Sequence, residues 1–325
     1  MNSLVVTRDL RQDPRLDVGV LLAFAAIYIL WGATFLAIRV AVLQIPPFFT
    51  AGCRFFIAGS LLFIFMRARG EANPSRREWR NLAIIGICMF VLTYGPLFWA
   101  EQYVSSSITS IIEATLPITT LVLEVFVFRT QPVRWRQIGG VALGFSGVAL
   151  LLVGNRDQHL AVLPCVVILA CGISWSLGAV LSRRLRLPTS APLSAGAQMM
   201  LGGAVLLGLS AATGELHPMP TIPLSAGLAM LYLIVGGSLV AYTAYTWLLK
   251  RFSATRVASH AYVNPIVAMA LGYFLAGETI TPRSIAASAL VVFSVCLILT
   301  GAGSRRCRCR CAAARVDPVK TSWPA

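Results

Sequence analysis

Ten apolar stretches, each long enough to cross a membrane, follow one another along almost the whole chain. A helix needs about 20 mostly apolar residues to cross a hydrocarbon core of about 30 Å. The predicted spans 1 to 10 cover residues 18–38, 47–66, 82–100, 107–128, 137–154, 160–181, 192–213, 224–249, 257–277 and 284–303. Only 12% of the residues are charged, against about 25% in a soluble protein. We therefore expect an all-α integral membrane protein, and the absence of strand-like alternation disfavours a β-barrel.

The net charge of +15 is compatible with nucleic-acid binding, but the positions of the charges argue against it. Most of the 27 lysines and arginines lie before span 1 and after the even-numbered spans, in segments 8–15, 67–80, 129–136, 183–186, 250–256 and 305–320. Basic residues concentrate in cytoplasmic loops of membrane proteins. The pattern predicts ten spans with both termini in the cytoplasm, and membrane lipid rather than nucleic acid as partner.

Two terminal segments lie outside the spans. Residues 1–17 are predicted to be a cytoplasmic N-terminal segment, and residues 304–325 a basic cytoplasmic tail containing Cys307, Cys309 and Cys311 in "RRCRCRC". Metal binding or lipidation of this tail is one interpretation. The close Cys spacing is unlike an ordinary structural zinc site, which favours a disordered tail near anionic lipid. No cofactor and no metal site are expected.

The chain contains an internal repeat of about five spans. An offset of 148 residues pairs Tyr94 with Tyr242, Ser105 with Ser253 and Pro117 with Pro265, and span 1 matches span 6 around Trp31 and Trp175. The two copies cover 18–154 and 160–303. Because five is odd, the second copy is predicted to be inverted. We expect Glu101-Gln102 to match Lys250-Arg251 of the second copy, so that the same site is acidic outside and basic inside. Inverted repeats are typical of alternating-access transporters.

Several segments resemble a known family. They are "YILWGATFLAIRVAV", "PPFFTAGCRFFIAGSLL", "GISWSLGAVLSRR" and the block from "SHAYVNP" through "GETITPRS". The chain is similar over about residues 18–302 to the EamA family of the drug/metabolite transporter superfamily, especially its bacterial inner-membrane exporter-like members. The resemblance implies ten helices in two inverted repeats and export of small organic solutes, without specifying the solute. The family often ends spans 4 and 9 with Gly-Glu, but span 4 here ends with Arg129-Thr130.

Span 4 carries a polar stripe. The spacing places Ser106, Ser110, Glu113, Pro117, Thr120 and Glu124 on one helix face. Polar residues in a span face the bundle interior or a water-filled cavity. The equivalent positions in span 9 are Ala, Gly and Pro265. The stripe predicts either one wall of a transport pathway or close helix packing through the small residues of span 9.

Glu113 has a candidate partner in Arg54. Both residues are predicted to lie about 10 Å below the outer surface, and a buried carboxylate is costly unless it is paired or protonated. One interpretation is an Arg54–Glu113 ion pair between spans 2 and 4. The other is that Glu113 takes up a proton or meets a cationic substrate. Glu101 and Glu278, near the span ends, are predicted to be solvated.

Further pathway candidates are aromatic or polar. Rings at Trp31, Tyr94, Trp175, Tyr242 and Tyr245 could line a cavity and bind solutes by stacking and cation–π contact. His260 is either a hydrogen-bonded interior residue or part of a gate or proton relay. Asn264 precedes Pro265 and could bond the backbone that proline frees, or the substrate. Gly140 and Gly144 favour helix packing, with a homodimer as the alternative.

These features together predict a secondary transporter. We expect it to reside in the bacterial inner (plasma) membrane and to export a metabolite, amino acid or drug-like solute, coupled to a proton or another ion. The sequence has no P-loop, HExxH or GxSxG motif, so we expect no enzymatic activity. A channel and a membrane-embedded enzyme are the alternatives.

Overall fold

The structure is a computed structural model that describes residues 18–129, 135–152, 162–217 and 220–302. All regular structure in these ranges is helical. The α-helices are α1 (Val18–Val42), α2 (Pro47–Ala68), α3 (Arg76–Gly86), α4 (Tyr94–Ala100), α5 (Ser106–Glu113), α6 (Leu116–Val122), α7 (Trp135–Leu152), α8 (Val162–Arg184), α9 (Ala191–Ala212), α10 (Leu224–Tyr232), α11 (Ala241–Leu249), α12 (Ala254–Val257), α13 (Asn264–Ala276) and α14 (Pro282–Ala302). Short π-helical segments (Ile87–Val91, Leu123–Val127 and Leu233–Val240) and a 3₁₀ segment (Ala258–Tyr262) continue some of them.

Seven helical stretches in the described ranges are long and apolar enough to cross a membrane. They are Val18–Val42, Pro47–Ala68, Arg76–Ala100, Ser106–Val127, Val162–Arg184, Ala191–Ala212 and Leu224–Leu249. They coincide with predicted spans 1–4 and 6–8. Helices α7 and α14 contain shorter apolar segments, Ile138–Leu150 and Pro282–Ser294, and the helix of span 9 is interrupted before α13. Spans 5, 9 and 10 therefore remain predictions as membrane crossings.

The outward-facing surface of the bundle is apolar. Leu22, Ile64, Leu163 and Phe274 are each more than 60% exposed. A soluble protein rarely exposes so many large apolar side chains together, whereas lipid tails solvate them. The exposed side chains thus mark the lipid-facing surface.

Helices α2 and α9, which are equivalent in the two repeats, pack closely against each other. Gly52 of α2 lies against Leu207 of α9. Gly203 and Gly196 of α9 lie against Phe56 and Phe63 of α2, respectively. Residue numbers rise along α2 as they fall along α9, so the two helices run antiparallel. Antiparallel packing of equivalent helices is what an inverted repeat requires.

Helices α7 and α14 form the other pair of equivalent helices that pack together. Gly144 lies against Ile118 and Ser294, and Gly147 lies against Val291, which again gives an antiparallel pair. Gly144 therefore serves helix packing inside this chain.

A proline-associated break interrupts spans 4 and 9 at equivalent positions. Helix α6 begins just before Pro117, and α13 begins just before Pro265. Proline has no N–H for the preceding helical turn. Side chains beside each break bond to backbone carbonyls. The Thr115 hydroxyl donates to the Ile112 carbonyl at 2.8 Å. In the amide orientation that satisfies its neighbours, Asn264 donates to the carbonyls of His260 (3.1 Å) and Tyr28 (3.2 Å).

Two equivalent arginines fasten the first helix of each repeat to the end of the third. Arg39 donates to the carbonyls of Glu101 and Val104, the latter at 2.9 Å. Arg183 donates to the carbonyls of Leu249, at 2.9 Å, and Phe252. With the 148-residue offset, Glu101 is equivalent to Leu249 and Val104 is equivalent to Phe252. Both arginines thus satisfy carbonyls that a helix end leaves without partners.

The prediction that Glu101 is solvated is wrong. Its side chain is 0% exposed, because the Arg39 contacts hold the end of α4 against α1. The offset pairs Glu101 with Leu249 and not with Lys250, one residue further on. Glu101 is therefore a buried acidic residue without an acidic or basic counterpart in the second repeat.

Candidate functional site

A cavity of about 40 Å³ lies where the two repeats meet. Its lining comes from α1, the Thr93–Ala100 region, α5, α6, α8 and the start of α13: Trp31, Thr34, Phe35, Ile38, Thr93, Tyr94, Leu97, Glu113, Leu116, Trp175, His260 and Asn264. Such a volume holds a few waters, whereas pockets for drug-sized ligands measure about 300–1,000 Å³. The conformation described is therefore a constricted one.

Aromatic side chains dominate one side of this cavity. The equivalent residues Trp31 and Trp175 are in edge-to-face contact with ring centroids 5.6 Å apart. Tyr94 packs against Trp175 at 5.7 Å. Tyr245 does not border the cavity but packs behind both tryptophans, at 5.0 and 5.3 Å. Trp31 donates its indole N–H to the Gly237 carbonyl at 2.9 Å. Because two symmetry-related tryptophans touch here, the cavity lies on the pseudo-symmetry axis of the repeats.

Glu113 is the carboxylate in the lining of this cavity. Its side chain is only 8% exposed, and its Oε1 atom has no hydrogen-bond partner among the described residues. The carboxylate faces Gly172 of α8, where the absence of a side chain leaves it room. Glu113 ends α5 at the break before Pro117, so the helix interruption presents it to the cavity.

Arg54 does not pair with Glu113 within the described part of the chain. Its Nε donates to the Ser238 hydroxyl at 2.9 Å, and its guanidinium lies over the rings of Phe55 (4.6 Å) and Tyr94 (5.2 Å). The side chain is 1% exposed and does not line the cavity. Counting residues along each span predicted that Arg54 and Glu113 lie at the same depth in the membrane, but it did not predict which side of its helix each residue faces. Helix α2, which carries Arg54, packs against α9 and the 233–240 segment.

His260 and Asn264 also border the cavity. The His260 ring contacts Trp31 at a centroid distance of 4.8 Å, and its Nδ1 lies 3.0 Å from the Val257 carbonyl. Asn264 bonds the two carbonyls already described. One polar atom of each is thus engaged with the backbone while the side chain borders the cavity.

Ser110, Thr120 and Tyr242 are buried but do not border the cavity. Ser110 donates to the Ser107 carbonyl at 2.7 Å, and Thr120 bonds to the Ser176 hydroxyl at 2.9 Å. Tyr242 donates to Oε1 of Gln198 at 2.6 Å. Thr120 and Tyr242 thus join different helices, whereas Ser110 bonds within its own helix α5.

Glu278 closes one end of the contact between the repeats. Its carboxylate accepts hydrogen bonds from the backbone N–H of Ser106 (3.0 Å) and Ser107 (3.2 Å) and from both serine hydroxyls. Gly277, with φ of +64°, turns the chain back at the end of α13, and Gly272 leaves space for the carboxylate. The partly exposed Glu278 carboxylate thus partners the N–H groups that begin α5, and its solvation stays a prediction. A second cavity, of about 290 Å³, lies beside this contact.

Comparison with known proteins identifies the family. The model of the EamA-like transporter family matches residues 17–153 and again 162–300. The chain belongs to the EamA-like transporter family. The two matches correspond to the two copies of the sequence repeat, and the cavity lies between them.

Relatives of this EamA-like chain include bacterial transporters. It is 38% identical over 285 residues to the uncharacterized inner membrane transporter YedA of Escherichia coli K12. The aligned region covers 86% of this chain and 90% of YedA. It is also 25% identical over 291 residues to a probable amino-acid metabolite efflux pump of Salmonella typhimurium. That alignment covers 86% of this chain and 94% of the pump. With its seven apolar helices, the chain is a multi-pass protein of the inner membrane.

One solved structure, described only as the crystal structure of a protein, shares the fold. Its TM-score is 0.63 at 20% sequence identity, and the match covers 87% of this chain and 97% of that chain. At this identity the likeness concerns the fold alone.

Sequence reasoning missed half of the cavity lining. Thr34, Phe35 and Ile38 follow Trp31 by three, four and seven residues, which is the spacing of one helix face. Leu97 and Leu116 stand three residues after Tyr94 and Glu113 in the same way. Extending each candidate along its own helix face would have identified them.

No group of three or more His, Cys, Asp or Glu side chains that could hold a metal occurs in the described ranges. The N-terminal segment 1–17 and the tail with Cys307, Cys309 and Cys311 lie outside the described residues, so the predictions for them stay predictions.

Proposed function

We propose that this protein is a secondary transporter that exports a small organic solute by alternating access at the central cavity. One observation carries the proposal: the cavity lies between the repeats and is lined by equivalent residues from both, Trp31 with Trp175 and Leu116 with Asn264. In transporters built from inverted repeats, substrate sites lie at the repeat interface near the membrane midplane, next to interrupted helices.

The proposed topology has ten spans, in repeats 18–154 and 160–303, with both termini in the cytoplasm. The antiparallel pairs α2–α9 and α7–α14 support inversion of the second repeat. The alternating basic loops support the orientation. In this orientation the N-terminus of α5 and Glu278 face the outside.

Alternating access requires that the cavity widen toward one side at a time. The bonds from Glu278 to Ser106 and Ser107 join the second repeat to the first at the proposed outer end. Release of these bonds, with rocking of one repeat against the other, would open the cavity outward. The breaks before Pro117 and Pro265 are the positions where spans 4 and 9 can bend.

The proposed solute is a metabolite, amino acid or drug-like molecule that carries an apolar group, because indole and phenol rings form much of the wall. The Salmonella relative is called an amino-acid metabolite efflux pump. Coupling to a proton or another ion supplies the energy for export in this proposal.

The test begins with a solute-resistance screen in cells that lack related exporters, followed by flux measurements in proteoliposomes. We expect gradient-dependent, concentrative flux in wild type. Trp175→Ala should lower it at least about tenfold, since aromatic stacking contributes on the order of 1 kcal/mol beyond burial, at unchanged protein level. Trp135→Ala is the matched control, because Trp135 is 87% exposed and distant from the cavity lining. Purely downhill flux would indicate a channel, and covalent conversion of the solute an enzyme.

A further inference from the structure

The central cavity contains a buried carboxyl group that has no basic partner in the cavity lining. Glu113 contributes a carboxylate, and the lining includes no lysine or arginine. Two arginines of the membrane-spanning helices are engaged elsewhere: Arg39 donates to two backbone carbonyls, and Arg54 donates to Ser238 and lies over the Tyr94 ring. A buried carboxylate without a partner is costly, so a positive group that enters the cavity is attracted to it.

A second buried carboxyl group, that of Glu101, differs from Glu113 in having cationic neighbours. Glu101 is 0% exposed, neither of its carboxylate oxygens has a hydrogen-bond partner among the described residues, and it lies within electrostatic reach of Glu113. Arg39 and Arg54 are also within reach of Glu101 and offset its charge. No such cationic neighbour offsets Glu113 in the described part of the chain.

The rings around Glu113 suit a positive ligand. Tryptophan and tyrosine attract cations over their faces, tryptophan most strongly, and the attraction grows when the site excludes water. Trp31, Trp175 and Tyr94 all border the same small cavity as the carboxylate. A carboxylate among aromatic rings is a chemical arrangement that recognises ammonium and other organic cations.

Glu113 is also a departure from the repeat. Its equivalent in the second copy is Ala261, while Pro117 and Pro265, one turn further on, are kept in both copies. The helix break therefore does not depend on a carboxylate at this position. A residue that the scaffold does not need and that is costly to bury points to a ligand.

We propose that the cavity selects organic cations, with Glu113 as the counter-charge and Trp31, Trp175 and Tyr94 as the aromatic wall. This inference rests on the proposed transport function and adds its substrate class. An organic anion would meet the Glu113 carboxylate without a cation in the lining. A zwitterion would leave its own carboxylate without a positive partner there.

Binding of a charged probe and its uncharged isostere tests the proposal directly. The full chain is purified in detergent, and binding of radiolabelled phenyltrimethylammonium is measured by scintillation proximity in competition with tert-butylbenzene, which has the same shape without the charge. Phenylacetate and phenylalanine serve as anionic and zwitterionic competitors. We expect the cation to bind at least about tenfold more tightly than each of the other three.

Variants assign the charge preference to one residue. Glu113→Gln keeps the size of the side chain and should reduce the preference for the cation over tert-butylbenzene to within about threefold. Glu113→Asp keeps the charge and should retain the preference at weaker affinity. Glu71→Gln, outside the cavity lining, removes the same charge and should change nothing. The comparison of ligands on wild type needs no variant, so it stands even where Glu113→Gln does not fold.

Three results would overturn the cation proposal: no binding of phenyltrimethylammonium to folded wild type, equal binding of the isostere, or an unchanged preference in Glu113→Gln. Transport itself is tested separately by flux in proteoliposomes. Gradient-driven export of a neutral or anionic solute, with no cation binding, would overturn the substrate class and leave the transport function standing. Tight cation binding without flux of any screened solute would overturn the transport function instead.

Discussion

Replacing Gly203 with alanine tests how the two repeats are held together. A methyl group at this position of α9 would lie 2.8 Å from the carbonyl carbon of Phe55 and 2.8 Å from Cα of Phe56, and closer still to the Phe56 nitrogen. Carbon atoms pack best at about 3.5–4.0 Å, so α2 and α9 would have to separate by at least about 0.7 Å. The obstacle is backbone, which cannot rotate away as a side chain can.

Gly208→Ala is the matched control for this prediction. Gly208 lies in the same helix, and a methyl group there would meet nothing within 4 Å. Both substitutions gain the same helix propensity, about 1 kcal/mol, so their difference isolates the packing clash. Overpacking a close contact costs about 1–3 kcal/mol. We therefore expect Gly203→Ala to lower the free energy of unfolding by about 1–3 kcal/mol relative to Gly208→Ala.

The measurement is reversible unfolding of the purified protein in mixed detergent micelles by dodecyl sulfate titration, followed by tryptophan fluorescence and circular dichroism. Equal stability of the two variants, within about 0.5 kcal/mol, would refute the close antiparallel packing of α2 and α9. It would also remove the main geometric support for the inverted repeat.

Three further predictions concern individual contacts. Arg39→Ala and Arg183→Ala should each lower the free energy of unfolding by about 1.5–3 kcal/mol, because each removes two charge-assisted hydrogen bonds to backbone carbonyls. Widely different losses of stability in the two variants would contradict the equivalence of the two arginines. Tyr242→Phe should cost about 1–3 kcal/mol in the same assay, because it leaves buried Gln198 without its donor, while exposed Tyr273→Phe should cost nothing measurable. Glu278→Ala should speed hydrogen exchange of the Ser106 and Ser107 amides roughly tenfold, and unchanged exchange would mean that Glu278 does not hold the start of α5.

The helical architecture was predictable because its signals are local in sequence. Apolar length predicts a span without knowledge of its neighbours, and a single offset aligns Tyr94 with Tyr242 and Pro117 with Pro265. The Arg39–Arg183 equivalence was visible in the same way, since it shares the 144-residue offset of Trp31 and Trp175. Apolar length does not predict the helical residues that lie outside the apolar run. Helix α3 begins at Arg76, six residues before the predicted span, because Ser75 and Glu78 form a capping box.

The contacts of charged residues were not predictable to the same degree. Depth along the membrane normal suggested an Arg54–Glu113 pair, but rotation about the bundle axis decides which helices face each other, and that depends on packing. Glu101 and Glu278 stand near predicted span ends, where solvation was the natural expectation. The folded chain instead buries Glu101, and it places the partly exposed Glu278 on the first turn of α5. Both outcomes depend on contacts between segments distant in sequence.

The two repeats agree in the features that build the scaffold. Each has an arginine bound to the end of its third helix, a serine cap at Ser105 or Ser253, and a proline after the helix break. Equivalent parts of this kind are what two copies of one repeat are expected to retain.

The carboxylates depart from this agreement. Glu101, Glu113 and Glu278 correspond to Leu249, Ala261 and Thr130 under the same offset. Glu278 closes one end of the repeat contact, and Glu215 of the second repeat similarly accepts from the Phe48 and Phe49 amides at the start of α2. An exactly symmetric transporter would have no preferred side, since its two closed arrangements would be equal in energy. Under the proposed function these carboxylates make the two arrangements unequal in energy, and Glu113 gives the central cavity its acidic group.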